Sequence, residues 1–106
     1  MGNWSHVTLQ VDTSKEQKEI EEFLEDWNPW STKSPLKWHV LADEDFCVLF
    51  GMANYWGYLE AASYAKALSQ ELQCEVSLLY HRECDNDVSA GCWWYGKHLG
   101  GRRSNG

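Results

Sequence analysis

Two imidazoles and two thiols gather towards the C-terminal end of the chain. The run His81-x2-Cys84-x7-Cys92-x5-His98 supplies a Cys2His2 set of the kind that zinc accepts, and such a site would add folding energy to a small domain. The spacing matches no finger, and neither a CxxC nor an HxxxH pair anchors it. The simpler reading is two hairpin cysteines, a strand-end His81 and a tail His98. Cys84 beside His81 also has the composition of a nucleophile and its base. Nothing in the sequence orients that imidazole or supplies an oxyanion hole. The pairs Asp43/Asp45 and Asp85/Asp87 could bind a hard cation from loops, but neither follows an EF-hand pattern, and solvated turn residues are the plainer account. Gly96, Gly100 and Gly101 lack the strand-to-helix context and the Lys-Ser/Thr ending of a phosphate loop. The expectation is therefore no catalytic residue and no cofactor, with the Cys/His run as a metal-stabilised or small-ligand alternative.

Charge and aromatic content say more. In 106 residues, 16 Asp+Glu stand against 9 Lys+Arg, a formal net charge of -7. A protein that grips a duplex needs a basic footprint, so direct nucleic-acid binding is not expected. Residues 12–26 hold seven acids and two lysines, and Asp43-Glu44-Asp45 adds three more acids. Such a surface attracts a basic partner and speeds association. Seven tryptophans are more than so small a core is expected to absorb, and Trp dominates interface hot spots. The residues expected to meet a partner are Glu21, Glu22, Glu25, Trp30, Asp43, Glu44, Asp45, Trp56, Asp85, Asp87, Trp93 and Trp94.

The elements that must position these residues follow from periodicity. Residues 4–12 alternate, with Val7, Leu9 and Val11 on one side and His6, Thr8 and Gln10 on the other, which predicts a half-buried strand. Thr13 and Glu16 offer a capping box. Ile20, Phe23, Leu24 and Trp27 then form a helical stripe, which Asn28-Pro29 ends. A loop over 28–36 leads to a strand over 37–41, with Trp38 and Val40 on one side. The turn 43–45 leads to an apolar strand over 46–50. Tyr58, Leu59, Ala62, Ala65, Leu68 and Leu72 mark a second helix. A fourth strand spans 74–80, a loop 85–91 and an aromatic fifth strand 92–95. The order is β-α-β-β-α-β plus a C-terminal strand. That predicts an α+β fold of the ferredoxin-like split βαβ type, an antiparallel sheet with both helices on one face. One domain over 1–99 and a flexible tail over 100–106 are expected. Strands one and four would be antiparallel neighbours, which brings His6 near His81 on the helix-free side.

The opening GNWSHVTLQV, with the acidic helix after it, resembles the YubB-type ferredoxin-like domain of phage and plasmid proteins, which opens P-N-W-C-x-N. Asn3-Trp4 match, while Gly2 and Ser5 depart. The family's W-x-P-P segment has a counterpart in Phe50 to Gly57 without its prolines, and its closing strand pair is echoed by Tyr80 to Glu83 and Gly91 to Gly96. The resemblance implies that fold and a mobile-element origin, and it brings no catalytic residues to transfer.

No stretch reaches the roughly 18 apolar residues of a membrane helix, and no secretory signal precedes the first strand, so the expected compartment is the cytoplasm. Four cysteines without an export signal read as thiols, with Cys47 buried and a Cys84–Cys92 disulfide as an alternative. The function expected is that of a non-enzymatic, acidic binding protein. It would be an inhibitor from a mobile element that blocks a basic nucleic-acid-handling protein, of the anti-CRISPR or anti-restriction type. A toxin-neutralising immunity protein is physically equivalent, and the aromatic edge strand 92–95 could pair in a homodimer.

Overall fold

A computed structural model describes residues 4–27, 38–54, 57–84 and 86–105, the side chains of 53, 54 and 102–105 excepted. The elements are β1 (Trp4–Val11), α1 (Gln17–Asp26), β2 (His39–Ala42), β3 (Cys47–Asn54), α2 (Tyr58–Leu72), β4 (Glu75–Arg82), β5 (Asp87–Trp94) and β6 (Lys97–Asn105). All six strands join one antiparallel sheet in the order β2-β3-β1-β4-β5-β6. The α+β character is as expected. The strand count is not: two strands follow β4 instead of one, so the sheet order differs from the expected pattern.

β1 lies in the middle of the sheet, between β3 and β4. Val7, Leu9 and Val11 lie opposite Gly51, Leu49 and Cys47 of β3 and opposite Tyr80, Leu78 and Val76 of β4. Side chains of opposed residues share a face, so these form one apolar surface, and nearly all of it is sealed. The helices supply its cover. α1 contributes Ile20 and Leu24, and α2 contributes Ala61, Tyr64, Ala65 and Leu68. Ala61 and Ala65 are fully buried, and their small side chains let α2 sit close over β4 and β5. Among the described residues no helix covers the opposite face.

Aromatic rings lock the two helices together. Trp27 of the α1 C-cap meets Tyr64 of α2 edge-on at 5.1 Å and stacks on Phe23 at 5.3 Å. Trp38 donates its indole N–H to the Tyr64 hydroxyl at 2.9 Å. Trp27 and Trp38 thus pack against the core, and Trp38 has its polar handle satisfied there, as a buried indole requires.

Several local expectations are corrected. Thr13 does not cap α1. Its Oγ1 accepts the Lys15 N–H in a local turn, and the N-cap is Glu16, with no side-chain bond. Leu59 points to solvent, 76% exposed, because α2 turns Ala61 and Tyr64 inward instead. The loop expected over 85–91 is strand from Asp87 onward, and residues 100–105 continue β6 where a tail was expected. The cause is a two-residue hairpin turn. Tyr95 and Gly96 both adopt positive φ, 52° and 82°, the geometry of the tight hairpin connection. The Gly96 N–H also bonds Ser69 Oγ of α2 at 2.9 Å, which pins the turn to the helix. The whole 28–36 loop, Asn28-Pro29 included, lies outside the described residues.

Gly91 is required by packing. A Cβ there would lie 2.5 Å from the Trp93 ring and 2.8 Å from the Tyr58 hydroxyl. Gly91→Ala is expected to lose about 1–3 kcal/mol by overpacking, read as a lower urea midpoint; an unchanged midpoint would mean the Trp93 ring does not lie over this position. Alkaline pH tests the core separately. Burial, with Cys74 nearby, pushes the Cys47 thiol from its ordinary 9.0 up to about 11. Burial raises the Tyr64 hydroxyl from 10.0 to about 12, against the opposing bond from Trp38. The unfolded chain releases these protons at the lower pH, so the stability they hold is complete below about pH 9 and falls as pH climbs through the folded values. Urea midpoints should therefore decline from about pH 9 upward, and a flat profile would contradict the burial of both groups.

Candidate functional site

The helix-free face of the sheet is where the histidines meet. His6 of β1 stands directly opposite His81 of β4, as the strand order predicted. The rings stack with centroids 5.8 Å apart and planes 20° from parallel. Oxygen acceptors hold both. His6 Nε2 donates to Glu83 Oε1 at 2.9 Å, and His81 Nε2 donates to Asn86 Oδ1 at 2.8 Å. A carboxylate only accepts, which sets the His6 proton on Nε2. Asn86 takes positive φ, 54°, a conformation Asn tolerates, and so brings its amide back towards the sheet. Beside His6, an open depression of about 340 Å³ is lined by Thr8, His39, Phe50, Gly51 and Met52.

The rest of this face departs from the usual polar-outward rule for half-solvated sheets. Leu41 of β2, Phe50 and Met52 of β3, Leu79 of β4, and Val88 and Trp94 of β5 all point outward and are 38–60% exposed. Between them stand Thr8, Gln10, Val48, Ser77, Ala90 and Cys92. From β2 to β5 the face carries no Asp, Glu, Lys or Arg between its two ends.

The carboxylates expected to meet a partner divide into separate groups. Glu21, Glu22 and Glu25 are exposed on α1, in the helix layer. Asp43, Glu44 and Asp45 form the β2–β3 turn, closed by the Asp43 N–H to the Phe46 carbonyl at 2.8 Å and by the Glu44 N–H to Asp43 Oδ1 at 2.8 Å. The register runs Ala42–Cys47–Val11–Val76 across four strands. The turn therefore shares one end of the sheet with Asp12 and Glu75, which are joined by the Asp12 N–H to the Glu75 carbonyl at 2.9 Å. These five acids are exposed and form a rim at that end. Asp87 does not join them. It begins β5 on the helix side, 2% exposed, and accepts from Ser89 Oγ at 3.5 Å.

The tryptophans divide as well. Trp94 is half-exposed on the helix-free face beside Tyr95, 4.6 Å between ring centroids. Trp93 is core, 5% exposed, and its ring lies over Gly91 and meets His98 at 5.3 Å. Adjacent strand residues face opposite ways, so only one of the pair can be an outward anchor. Trp30, Trp56 and Asp85 lie outside the described residues.

The Cys/His run is dispersed. Cys84 is exposed in the β4–β5 turn, beyond the last pair Arg82–Asp87, and Cys92 lies five register positions back from that pair, opposite Ser77, whose Oγ donates to its Sγ at 3.7 Å. At the strand rise those five positions alone span about 16 Å, too far for a disulfide, and all four thiols are free. Among the described residues no three His, Cys, Asp or Glu side chains gather to hold a metal. Sequence reasoning missed Leu41, Phe50, Met52 and Leu79. The signal was present, since each sits at the outward parity of its strand and carries no polar group. Comparison with protein-family models, with curated proteins and with solved structures gives no match.

The two adjacent tryptophans supply a test. Trp93→Ala should cost about 3–5 kcal/mol of stability as a large core truncation, and Trp94→Ala should stay within about 1 kcal/mol as a surface change. Equal losses in thermal or urea unfolding would place both rings in the core.

Proposed function

We propose that this chain is a non-enzymatic binding protein whose partner presents a basic surface, and that it acts as an inhibitor by covering the site where that partner handles nucleic acid. The observation that carries the reading is the rim of Asp12, Asp43, Glu44, Asp45 and Glu75 at one end of the sheet, next to a face with exposed Trp94. Carboxylates spaced along a surface offer a phosphate-binding site the charges it is built to hold. A net charge of -7 adds long-range attraction towards such a partner and repulsion from nucleic acid itself. Blocking by occupation needs no reacting group in this chain. Within this reading the first four strands and two helices keep the split βαβ arrangement, with β5 and β6 added along β4. The resemblance to the YubB-type domain of mobile elements fits it, as does a cytoplasmic location, where such a partner would be met. No helix among the described residues is long and apolar enough to cross a membrane.

The test combines capture with function. A partner recovered from the source cell's lysate should be basic, and its nucleic-acid binding or cleavage should fall when this chain is added. Replacing Asp43, Glu44 and Asp45 together by Lys should slow association roughly tenfold at low salt, with the difference shrinking as salt rises. An acidic partner, an uninhibited one or a rate indifferent to both charge and salt would defeat the reading.

A further inference from the structure

The helix-free face is unlike the rest of the surface. About a quarter of the chain is charged, 24%, yet the interior of this face carries no fixed charge from β2 across to β5. It carries Leu41, Phe50, Met52, Leu79, Val88 and Trp94 instead, each 38% exposed or more. Charge depletion at the centre and polar groups at the edge are the composition of a protein interface, where Met and aromatic residues are enriched. These side chains stand on β2, β3, β4 and β5; β1, between β3 and β4, adds exposed Trp4 at its start and the uncharged Thr8 and Gln10 beside His6, and apolar groups gathered on one face mark a binding site where scattered residues do not.

We infer that this face is the docking surface for an amphipathic helix of a basic protein, laid across the strands with its apolar stripe on Phe50, Met52 and Leu79 and its cationic side towards the acidic rim. The inference rests on the reading of this chain as an acidic binding protein and names which surface makes the contact. Charge and shape select the occupant. The rim of Asp12, Asp43, Glu44, Asp45 and Glu75 borders the face at one end, so the complement is apolar in the middle and positive on one side. A second copy of this chain would bring its own rim and another -7 against the first. The sheet already packs two helices on its other face, and a helix from the partner would complete the layering that covers both faces of a sheet. The depression lined by Thr8, His39, Phe50 and Met52 gives an apolar side chain of that helix somewhere to enter, as helix-in-groove recognition requires.

The probe is a synthetic helix of about 18 residues in which leucines at i, i+3, i+4 and i+7 face one way and lysines the other. Two relatives accompany it, one with glutamate for lysine and one with serine for leucine. Calorimetry gives the affinity, and amide NMR shifts give the location. The Leu/Lys helix should bind at about 150 mM salt and shift amides of β3, β1 and β4. Both relatives should bind at least roughly tenfold more weakly. Leu79→Lys, a change at a half-exposed position, should weaken the Leu/Lys helix by roughly tenfold or more and keep its native spectrum. Leu59→Lys on α2, 76% exposed in the opposite layer, should have no effect. Equal binding of the Leu/Lys and Ser/Lys peptides, with shifts confined to the acidic segments, would overturn the docking face and leave the acidic binding reading standing. No binding of the Leu/Lys helix would overturn the docking face as well, while the slowed association of the Asp43–Asp45 charge reversal with its captured partner would still judge the broader reading. Light scattering covers the other occupant: a dimer that Leu79→Lys dissolves would show that a second copy takes this face, against the inference.

Discussion

Val7, Leu9 and Val11 sit in β1, between β3 and β4 and directly beneath the helices. Burying each contributes roughly 1.5–3 kcal/mol, and a slip of one residue would turn all three to water. That constraint fixes the register of β1, and through it the registers of β3 and β4. The outward residues then have no choice of neighbours. His6 meets His81, Thr8 lies between Phe50 and Leu79, and Gln10 lies between Val48 and Ser77. The candidate surface is thus a by-product of core burial, positioned by the same hydrogen-bonded ladder.

The two sides of the sheet use their aromatic residues differently. On the helix side, Trp27, Trp38, Tyr64 and Trp93 close gaps between layers, and the Trp38 indole finds the Tyr64 hydroxyl. On the open side, Phe50 and Trp94 stand half in water among Leu, Met and Val. A helix-side ring gains stability for the monomer. An open-side ring gains nothing until another surface arrives, and a solvent-facing sheet normally carries polar side chains in such places. The acidic rim keeps to one end of the sheet and Glu21, Glu22 and Glu25 to α1. They can steer an approaching cation without being desolvated themselves, where a carboxylate in the middle of the face would have to be stripped of water.

Much of the fold was legible because burial leaves a period in the chain. The alternation over residues 4–12 and the stripe Ile20, Phe23, Leu24, Trp27 identify β1 and α1, and the order of elements placed His6 beside His81. β6 was hidden for a physical reason. Lys97 to Gly101 are all exposed, so this stretch has no buried face to leave an alternation in the sequence. Its existence depends on β5 presenting a free edge and on Tyr95 and Gly96 turning the chain back. The acidic residues were correctly seen as surface on α1 and in the β2–β3 turn. Asp87 was not, because its parity in β5 could be known only once the strand was seen to begin there.

By itself the sequence determined the charge of this protein and the identity of most of its elements: an acidic chain with two helices and five of the six strands. Those follow from local periodicity and charge, which need no partner across the chain. Tertiary structure decided which of two adjacent tryptophans is core, how far Cys84 and Cys92 of the β4–β5 hairpin stand apart, and that the outward residues between the two ends of the sheet, from β2 across to β5, include no Asp, Glu, Lys or Arg. Each of these depends on strand register and pairing, set by contacts between residues distant in sequence.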